Sequence, residues 1–280
     1  MNKIREDANK NPISHILIIV LLTVGVISLP LDFATDLFIK NKKISLLLAQ
    51  IIIRSIVIIF AIILLKQYRF AVLKKFSIKS CIVMIILALV VAINNFPIIG
   101  LIKKDVVCHE NVYTVLLFCA NCLIIAITEE LVFRGIIFPL CIIAISNRIN
   151  KPLTQAYKNF WCVVISSGFF ALTHLVNLFS GASIGAVSLQ VGYSFLIGAM
   201  LAICMLETKN VLVCVVIHFV YNVGGLLCQS NIGVAQGIIW DNATMIITAI
   251  IGVVVLVYFF VKILKSKANA NELLNETIKR

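Results

Sequence analysis

The chain has 280 residues, of which 61% are hydrophobic and 13% are charged, and its formal net charge is +12. Soluble domains are about 45–50% apolar and about 25% charged, so this composition excludes a soluble globular protein and indicates a polytopic membrane protein. The basic residues are dispersed over the segments between apolar stretches, which argues against nucleic-acid binding and favours the lipid bilayer as the partner.

Eight apolar stretches are candidate membrane spans, since a helix needs about 20 apolar residues to cross a bilayer. They are residues 14–31, 44–65, 80–101, 113–146, 160–179, 186–206, 210–229 and 242–262. We therefore predict an all-α polytopic membrane protein with about eight transmembrane helices. Residues 1–280 are expected to form a single transmembrane domain that ends in a short polar cytoplasmic tail at 263–280.

The distribution of Lys and Arg predicts the orientation of the spans. With eight spans, 17 of these residues lie on the side of the N-terminus and five lie on the opposite side. Cytoplasmic loops are the ones enriched in Lys and Arg. Both termini are therefore predicted to be cytoplasmic.

The fourth stretch, 113–146, is longer than a bilayer requires. As one helix its 34 residues would reach about 50 Å, against a hydrocarbon core of about 30 Å. We therefore expect this segment to tilt, bend or protrude. Its middle contains the sequence "ITEELVFRG" at 127–135, which carries three charges.

These three charges need partners or water, because one charge at the bilayer centre costs about 2.5–3.5 kcal/mol on insertion scales. Glu130 and Arg134 are four residues apart with the acid first, which is the favourable order for a helical ion pair. Glu129 lies about 100° away around the helix and has no partner in its own segment. Glu130 is thus predicted to be neutralised, and Glu129 to be free for chemistry.

The fifth and seventh spans each carry a histidine with a second notable side chain one helical turn away. "FALTH" places Phe170 and His174 four residues apart, and "HFVYN" does the same for His218 and Asn222. Residues at this spacing share one face of a helix. Each pair is therefore predicted to project to one side of its span.

Each of these features also has a purely structural interpretation. A single intramembrane histidine or Asn222 can form a hydrogen bond between helices, and Glu130 with Arg134 can be a structural ion pair. A common site is favoured because three different spans contribute ionisable or amide groups. Arg54 is interpreted as snorkelling or paired. The other polar residues within the spans are interpreted as interhelical contacts, namely Asn94, Asn95 and Gln190.

The fourth, fifth and seventh predicted spans thus carry three motifs in chain order. They are E-E-x-x-x-R at 129–134, F-x-x-x-H at 170–174 and H-x-x-x-N at 218–222. This combination resembles the CPBP family of intramembrane proteases, which includes the CAAX prenyl endopeptidases of the Rce1 type and bacterial Abi-like proteins linked to bacteriocin processing or immunity. The motif-bearing core covers about residues 113–229. The resemblance implies an intramembrane endopeptidase that hydrolyses a peptide bond with an activated water.

The resemblance also implies roles for individual residues. Glu129 is expected to be the general base, assisted by His174. His218 and Asn222 are expected to form the oxyanion hole. The supporting residues are expected to be Glu130, Arg134 and Phe170.

A metal is a separate question. Glu129, His174 and His218 are a possible set of three protein ligands for a catalytic zinc ion. The same residues serve a metal-free glutamate mechanism, which we favour, while zinc stays open.

Two other classes of function also stay open. One is a non-catalytic membrane immunity or interaction protein on the same fold. The other is a proton-coupled transporter, since intramembrane Glu and His also mark proton paths. For the protease we expect a membrane-associated peptide or protein substrate and a location in a bacterial plasma membrane.

The predicted boundaries carry one inconsistency about depth. They place His174 about 14 residues and His218 about 8 residues from the cytoplasmic ends of their spans. If the two histidines meet, one helix start must differ from the prediction or one helix must be shifted along the membrane normal.

Overall fold

The structure is a computed structural model that describes residues 3–76, 78–104, 106–108, 110–148, 155–227, 233–235 and 242–265. The helices in these ranges are α1 (Lys3–Lys10), α2 (Pro12–Ile27), α3 (Asp32–Asp36), α4 (Lys42–Tyr68), α5 (Ile78–Asn94), α6 (Ile98–Lys103), α7 (Val112–Glu130), α8 (Phe138–Arg148), α9 (Gln155–Thr173), α10 (Ile184–Thr208), α11 (Val211–Leu226) and α12 (Asn242–Lys265). Two short strands, β1 (Val106–Cys108) and β2 (Gly233–Ala235), pair in an antiparallel manner. Most of the predicted tail at 263–280 lies outside the described residues.

Six helical stretches in the described part of the chain are long and apolar enough to cross a membrane: Pro12–Asp36, Lys42–Tyr68, Val112–Asn147, Gln155–Leu178, Ile184–Thr208 and Ile246–Leu264. Two further apolar helices are shorter, Ile82–Asn94 and Val211–Leu226. These eight segments coincide with the eight predicted spans. The all-α polytopic membrane fold is therefore confirmed, with six rather than eight helices of full spanning length.

The third predicted span, 80–101, is interrupted. Helix α5 ends at Asn94, and α6 begins only at Ile98. Pro97 explains the break, because proline has no N–H to donate and disfavours the helical conformation of Phe96 before it. The continuous helix predicted up to residue 101 was wrong for this reason.

The fourth span changes its helical type at its centre. A π-helical segment, Leu131–Ile137, joins α7 to α8, and the Phe138 amide donates to the carbonyl of Phe133, five residues earlier. Pro139 cannot donate to the carbonyl of Gly135 and its ring would clash there in a regular α-helix. The wider turn accommodates this proline. The π segment starts immediately after Glu130, which bears on the geometry of the site.

Helix α11 begins deep in the bundle because an extended segment, residues 69–76, covers its N-terminus. The Val211 amide donates to the Val72 carbonyl at 2.8 Å, and the backbone amide of Lys74 donates to the backbone carbonyl of Lys209 at 3.1 Å. Val72 also lies beside Gly135, where an added Cβ would be 3.7 Å from its side chain. The start of α11 therefore lies near the level of Gly135 in the fourth span. Gly135 is 13 residues before the end of α8, which corresponds to about 20 Å of helix.

This offset resolves the inconsistency about depth. His174 follows the start of α9 by 19 residues, whereas His218 follows the start of α11 by only seven. Because α11 starts about 20 Å inside the end of α8, both histidines reach a similar level. Helix α9 also begins five residues before the predicted start at 160, so the structure contains both a different helix start and a shift of one helix.

The core is built from the fourth span and α10, both of which pack against α9. Residues 132–145 and residues 197–206 are buried without interruption. Helices that are apolar all round are typical of positions surrounded by other helices. The surface of the bundle, in contrast, exposes many large apolar side chains such as Leu21, Ile56 and Leu116, as expected of a surface in contact with lipid.

Candidate active site

The ion pair predicted within the fourth span is present and fully buried. Nη1 of Arg134 donates to Oε1 of Glu130 at 3.0 Å, and the two side chains are 1% and 0% exposed. Nη2 of Arg134 donates to the carbonyl of Gly198 on α10, also at 3.0 Å. The guanidinium therefore fastens the fourth span to α10, and a buried ion pair of this kind needs such additional hydrogen bonds.

Phe170 packs at the centre of the motif residues. Its ring lies under the Arg134 guanidinium, with 4.6 Å between the guanidinium carbon and the ring centroid. Two imidazoles meet the same ring in T-shaped contacts, with centroid distances of 5.4 Å for His174 and 5.9 Å for His218. The aromatic ring thus contacts Arg134 and both histidines and restrains the planes of both imidazoles.

His218 stands between the two adjacent acids. Its Nδ1 is 2.7 Å from Oε1 of Glu130, and its Nε2 is 3.6 Å from Oε2 of Glu129. Since Oε1 of Glu130 already accepts from Arg134, it is an acceptor here as well and Nδ1 of His218 is the donor. The sequence assigned Glu130 a supporting role through Arg134 alone, and the contact with His218 was not anticipated.

Glu129 is the one acid of the pair with access to a cavity or to lipid, because 20% of its side chain is exposed. Besides His218, three groups lie within electrostatic range of its carboxylate: Arg54 from α4, His174 and Tyr193 from α10. Glu129 therefore has no partner in its own segment, as predicted, but is surrounded by side chains from four other segments.

Asn222 is positioned on α11 by the turn that follows α5. Nδ2 of Asn95 donates to the carbonyl of Tyr221 at 2.7 Å. A Cβ added to Gly224 would lie 2.9 Å from the backbone nitrogen of Phe96, so only glycine permits this approach. Nδ2 of Asn222 is buried and has no hydrogen-bond partner among the described residues. A buried, unsatisfied donor of this kind is uncommon in native structures and fits a group that serves a ligand.

His174 opens a 3₁₀ segment, His174–Leu178, that continues α9. Its Nδ1 lies 3.4 Å from Nε2 of Gln190 on α10, and Oε1 of Gln190 accepts from Nδ2 of Asn177 at 2.7 Å. In a 3₁₀ helix residues three apart lie on the same side, so the side chains of His174 and Asn177 both reach the side-chain amide of Gln190. Gln190 thus makes the interhelical contact expected of it, and does so with a candidate catalytic residue.

Sequence reasoning did not assign three of the residues around Glu129 and His174 to the site. Arg54 was read as snorkelling or paired, Gln190 as an interhelical contact, and Tyr193 was not singled out. The signal was present for Arg54, since it is the only other arginine within the predicted spans. Asn94, which donates to Thr248 at 2.7 Å, is an interhelical contact as predicted.

The possible zinc ligands are Glu129, His174 and His218. In the described parts of the chain, no three His, Cys, Asp or Glu groups are arranged to hold a metal ion. Nδ1 of His218 donates to Glu130, which leaves Nε2 as the nitrogen that could bind a metal, and this atom lies 3.6 Å from Oε2 of Glu129. Nδ1 of His174 faces the amide of Gln190. Zinc binding by Glu129, His174 and His218 therefore stays a prediction.

Part of the chain is similar to a known protein family. Residues 111–224 match the family model described as "Type II CAAX prenyl endopeptidase Rce1-like". This range includes all seven motif residues from Glu129 to Asn222, and it confirms the resemblance to the CPBP/CAAX protease family. No curated protein and no solved structure shows significant similarity to the chain.

Proposed function

We infer from the Rce1-like domain at residues 111–224 that this integral membrane protein is an intramembrane endopeptidase. The observation that carries the proposal is that His218 and His174 converge on the partly accessible carboxylate of Glu129. A hydrolase that works within a membrane needs a base, a donor for the developing oxyanion and a route for water. Glu129 offers the base, and Nε2 of His218, 3.6 Å from it, offers a donor.

In the proposed reaction Glu129 takes one proton from a water molecule, and the resulting hydroxide attacks the carbonyl carbon of the scissile peptide bond. The negative charge that develops on the carbonyl oxygen accepts hydrogen bonds from Nδ2 of Asn222 and from Nε2 of His218. Glu129 then delivers its proton to the amine as the carbon–nitrogen bond breaks. A carboxylate that first accepts and then donates one proton closes the cycle without any other acid.

The oxyanion role requires both ring nitrogens of His218 to carry protons. Nδ1 donates to Glu130 at 2.7 Å, and Nε2 faces Glu129 at 3.6 Å. The two carboxylates provide the counter-charge for such a ring. Asn222 supports the same role, because its buried Nδ2 has no partner among the described residues and would gain one only when an oxyanion forms.

The proposed substrate is a peptide segment of a membrane-associated peptide or protein. Glu129 lies within a helix of the apolar bundle, and lipid-facing side chains cover the outside of the bundle. A substrate that is held at the membrane can reach such a site by lateral diffusion. A bacterial plasma membrane is the proposed location.

Glu129→Gln tests the proposal. It keeps the shape of the side chain and removes the base, so kcat for a membrane-tethered peptide should fall about 10²–10⁴-fold, while the protein remains inserted and folded. Glu6→Gln on α1, far along the chain from the site, is the matched control and should cleave like the wild type. Undiminished turnover by the Glu129 variant would refute the proposal, and so would solute uptake into proteoliposomes without any cleavage.

A further inference from the structure

A chain of two side-chain amides ends on the imidazole of His174. Nδ2 of Asn177 donates to Oε1 of Gln190 at 2.7 Å. This bond directs the other end of the Gln190 amide, the Nε2 group, towards Nδ1 of His174 at 3.4 Å. An amide NH₂ is a donor only, so the nitrogen that it faces must be an acceptor.

We propose that Gln190 is a positioning residue that holds His174 in the neutral tautomer protonated at Nε2, so that His174 acts as a hydrogen-bond donor in the site. The proposal rests on the proposed endopeptidase function. In the neutral imidazole one nitrogen donates and the other accepts. With Nδ1 occupied as an acceptor, Nε2 carries the proton.

The ring plane is fixed as well as the tautomer. The edge of the His174 ring meets Phe170 at a centroid distance of 5.4 Å and an interplanar angle of 79°. Phe170 is itself 2% exposed and packed under Arg134. The contact with Phe170 and the contact with Gln190 together leave Nε2 as the atom that His174 offers to the reacting groups.

The two histidines of the site are therefore held in opposite ways. Nδ1 of His218 donates to the carboxylate of Glu130, whereas Nδ1 of His174 accepts from the amide of Gln190. The group that holds one nitrogen of a histidine decides what the other nitrogen can do. A donor at Nε2 of His174 can hold the oxygen of the attacking water, but it cannot take the proton of that water.

This arrangement divides the work between Glu129 and His174. Glu129 becomes the sole proton acceptor, and His174 orients the water. Among the described residues, the charged or titratable groups in electrostatic range of His174 are Glu129 on α7 and His218 on α11, while α10 contributes the uncharged amide of Gln190. A change at position 190 therefore alters the tautomer of His174 without adding or removing a carboxylate elsewhere in the site.

The tautomer is measured directly by nitrogen NMR on the full-length protein with labelled histidine in nanodiscs. His174→Asn identifies the signal of His174 among the four histidines of the chain. We expect the wild-type ring to be protonated at Nε2. In Gln190→Glu the new carboxylate accepts instead of donating, so the proton should move to Nδ1. A wild-type ring protonated at Nδ1 would overturn the proposal.

Activity provides the second arm of the test. Gln190→Met and Gln190→Glu should lower kcat for a tethered peptide by roughly 10–100-fold, as for other groups that orient a functional histidine, with KM almost unchanged. Glu6→Gln on α1, far along the chain from the site, is the control here as well and should match the wild type in both arms. Unchanged kcat in both Gln190 variants would overturn the positioning role.

The two proposals fail in different ways. A wild-type chain that cleaves no peptide refutes the endopeptidase function, and the nitrogen spectrum then still decides whether Gln190 sets the tautomer. A cleaving wild type whose His174 spectrum is the same in Gln190→Glu keeps the protease and overturns the inference about Gln190.

Discussion

Nδ1 of His218 lies 2.7 Å from Oε1 of Glu130, although the two residues are 88 positions apart in the chain. The same oxygen accepts from Nη1 of Arg134 at 3.0 Å. Glu130 is therefore the group that joins the first motif to the third. Its second oxygen, Oε2, is buried and has no partner among the described residues, so all of its bonding in that part of the chain goes through Oε1.

Glu130→Gln should destabilise the protein strongly. The change keeps the shape of the side chain but leaves the buried Arg134 guanidinium without its carboxylate, and breaking one side of a buried pair costs about 3–5 kcal/mol. The free energy of unfolding in a defined detergent is the measurement. An amide oxygen replaces the carboxylate oxygen that accepts from His218, so the hydrogen bond to His218 weakens and activity should fall together with stability.

The double variant Glu130→Gln with Arg134→Met is the control for this prediction. It removes both charges, so it should recover a large part of the stability lost in the single variant, because no unpaired charge is left buried. Activity should stay low, since Nδ1 of His218 faces an amide oxygen in place of the Glu130 carboxylate. A single Glu130→Gln variant as stable as the wild type would contradict the structural role of the pair.

Gly198→Ala should disturb the site through packing alone. The added Cβ would lie 2.9 Å from Cδ1 of Phe170 and 3.4 Å from Nη2 of Arg134. Overpacking of this kind costs about 1–3 kcal/mol, and the displaced Phe170 ring should move both histidines. Thermal unfolding and kcat are the measurements.

Gly192→Ala on the same helix is the matched control for Gly198. No heavy atom lies within 4 Å of an added Cβ there. The change should leave activity intact and stabilise α10 by about 0.5–1 kcal/mol, since alanine favours a helix over glycine. Equal effects of the two substitutions would show that the close approach at Gly198 is not what holds Phe170.

Asn222→Leu should separate stability from activity. It removes a buried donor that has no partner among the described residues, and such a donor costs about 1–3 kcal/mol. The variant should therefore be at least as stable as the wild type. If Asn222 serves the oxyanion, kcat should nevertheless fall about 10²–10³-fold. A variant that is stable and fully active would exclude Asn222 from the reaction.

Removal of divalent metals should leave peptide cleavage unchanged. The described residues contain no set of three His, Cys, Asp or Glu groups arranged to hold a metal ion, and the proposed mechanism takes its base from Glu129. The measurement is kcat after dialysis against a strong zinc chelator, with metal content determined on the same sample. Loss of activity that zinc restores would revive the set Glu129, His174 and His218.

The membrane class and the local pairs were predictable because they depend on short stretches of sequence. The energetic cost of charge in lipid makes an apolar composition decisive for class. The helical repeat places residues four apart on one face, which correctly paired Glu130 with Arg134 and Phe170 with His174. These pairings hold whatever the neighbouring helices do, so no knowledge of tertiary structure was needed.

The relations between the motifs were decided only by tertiary structure. The contact of Glu130 with His218, the reach of Gln190 to His174 and the nearness of Arg54 to Glu129 all depend on how separate helices are rotated and shifted against each other. Two features set those positions: the close approach at Gly198 and the depth at which α11 begins beneath residues 69–76. Helical periodicity specifies the face of one helix, but the partner of that face depends on packing between segments that are distant in the chain.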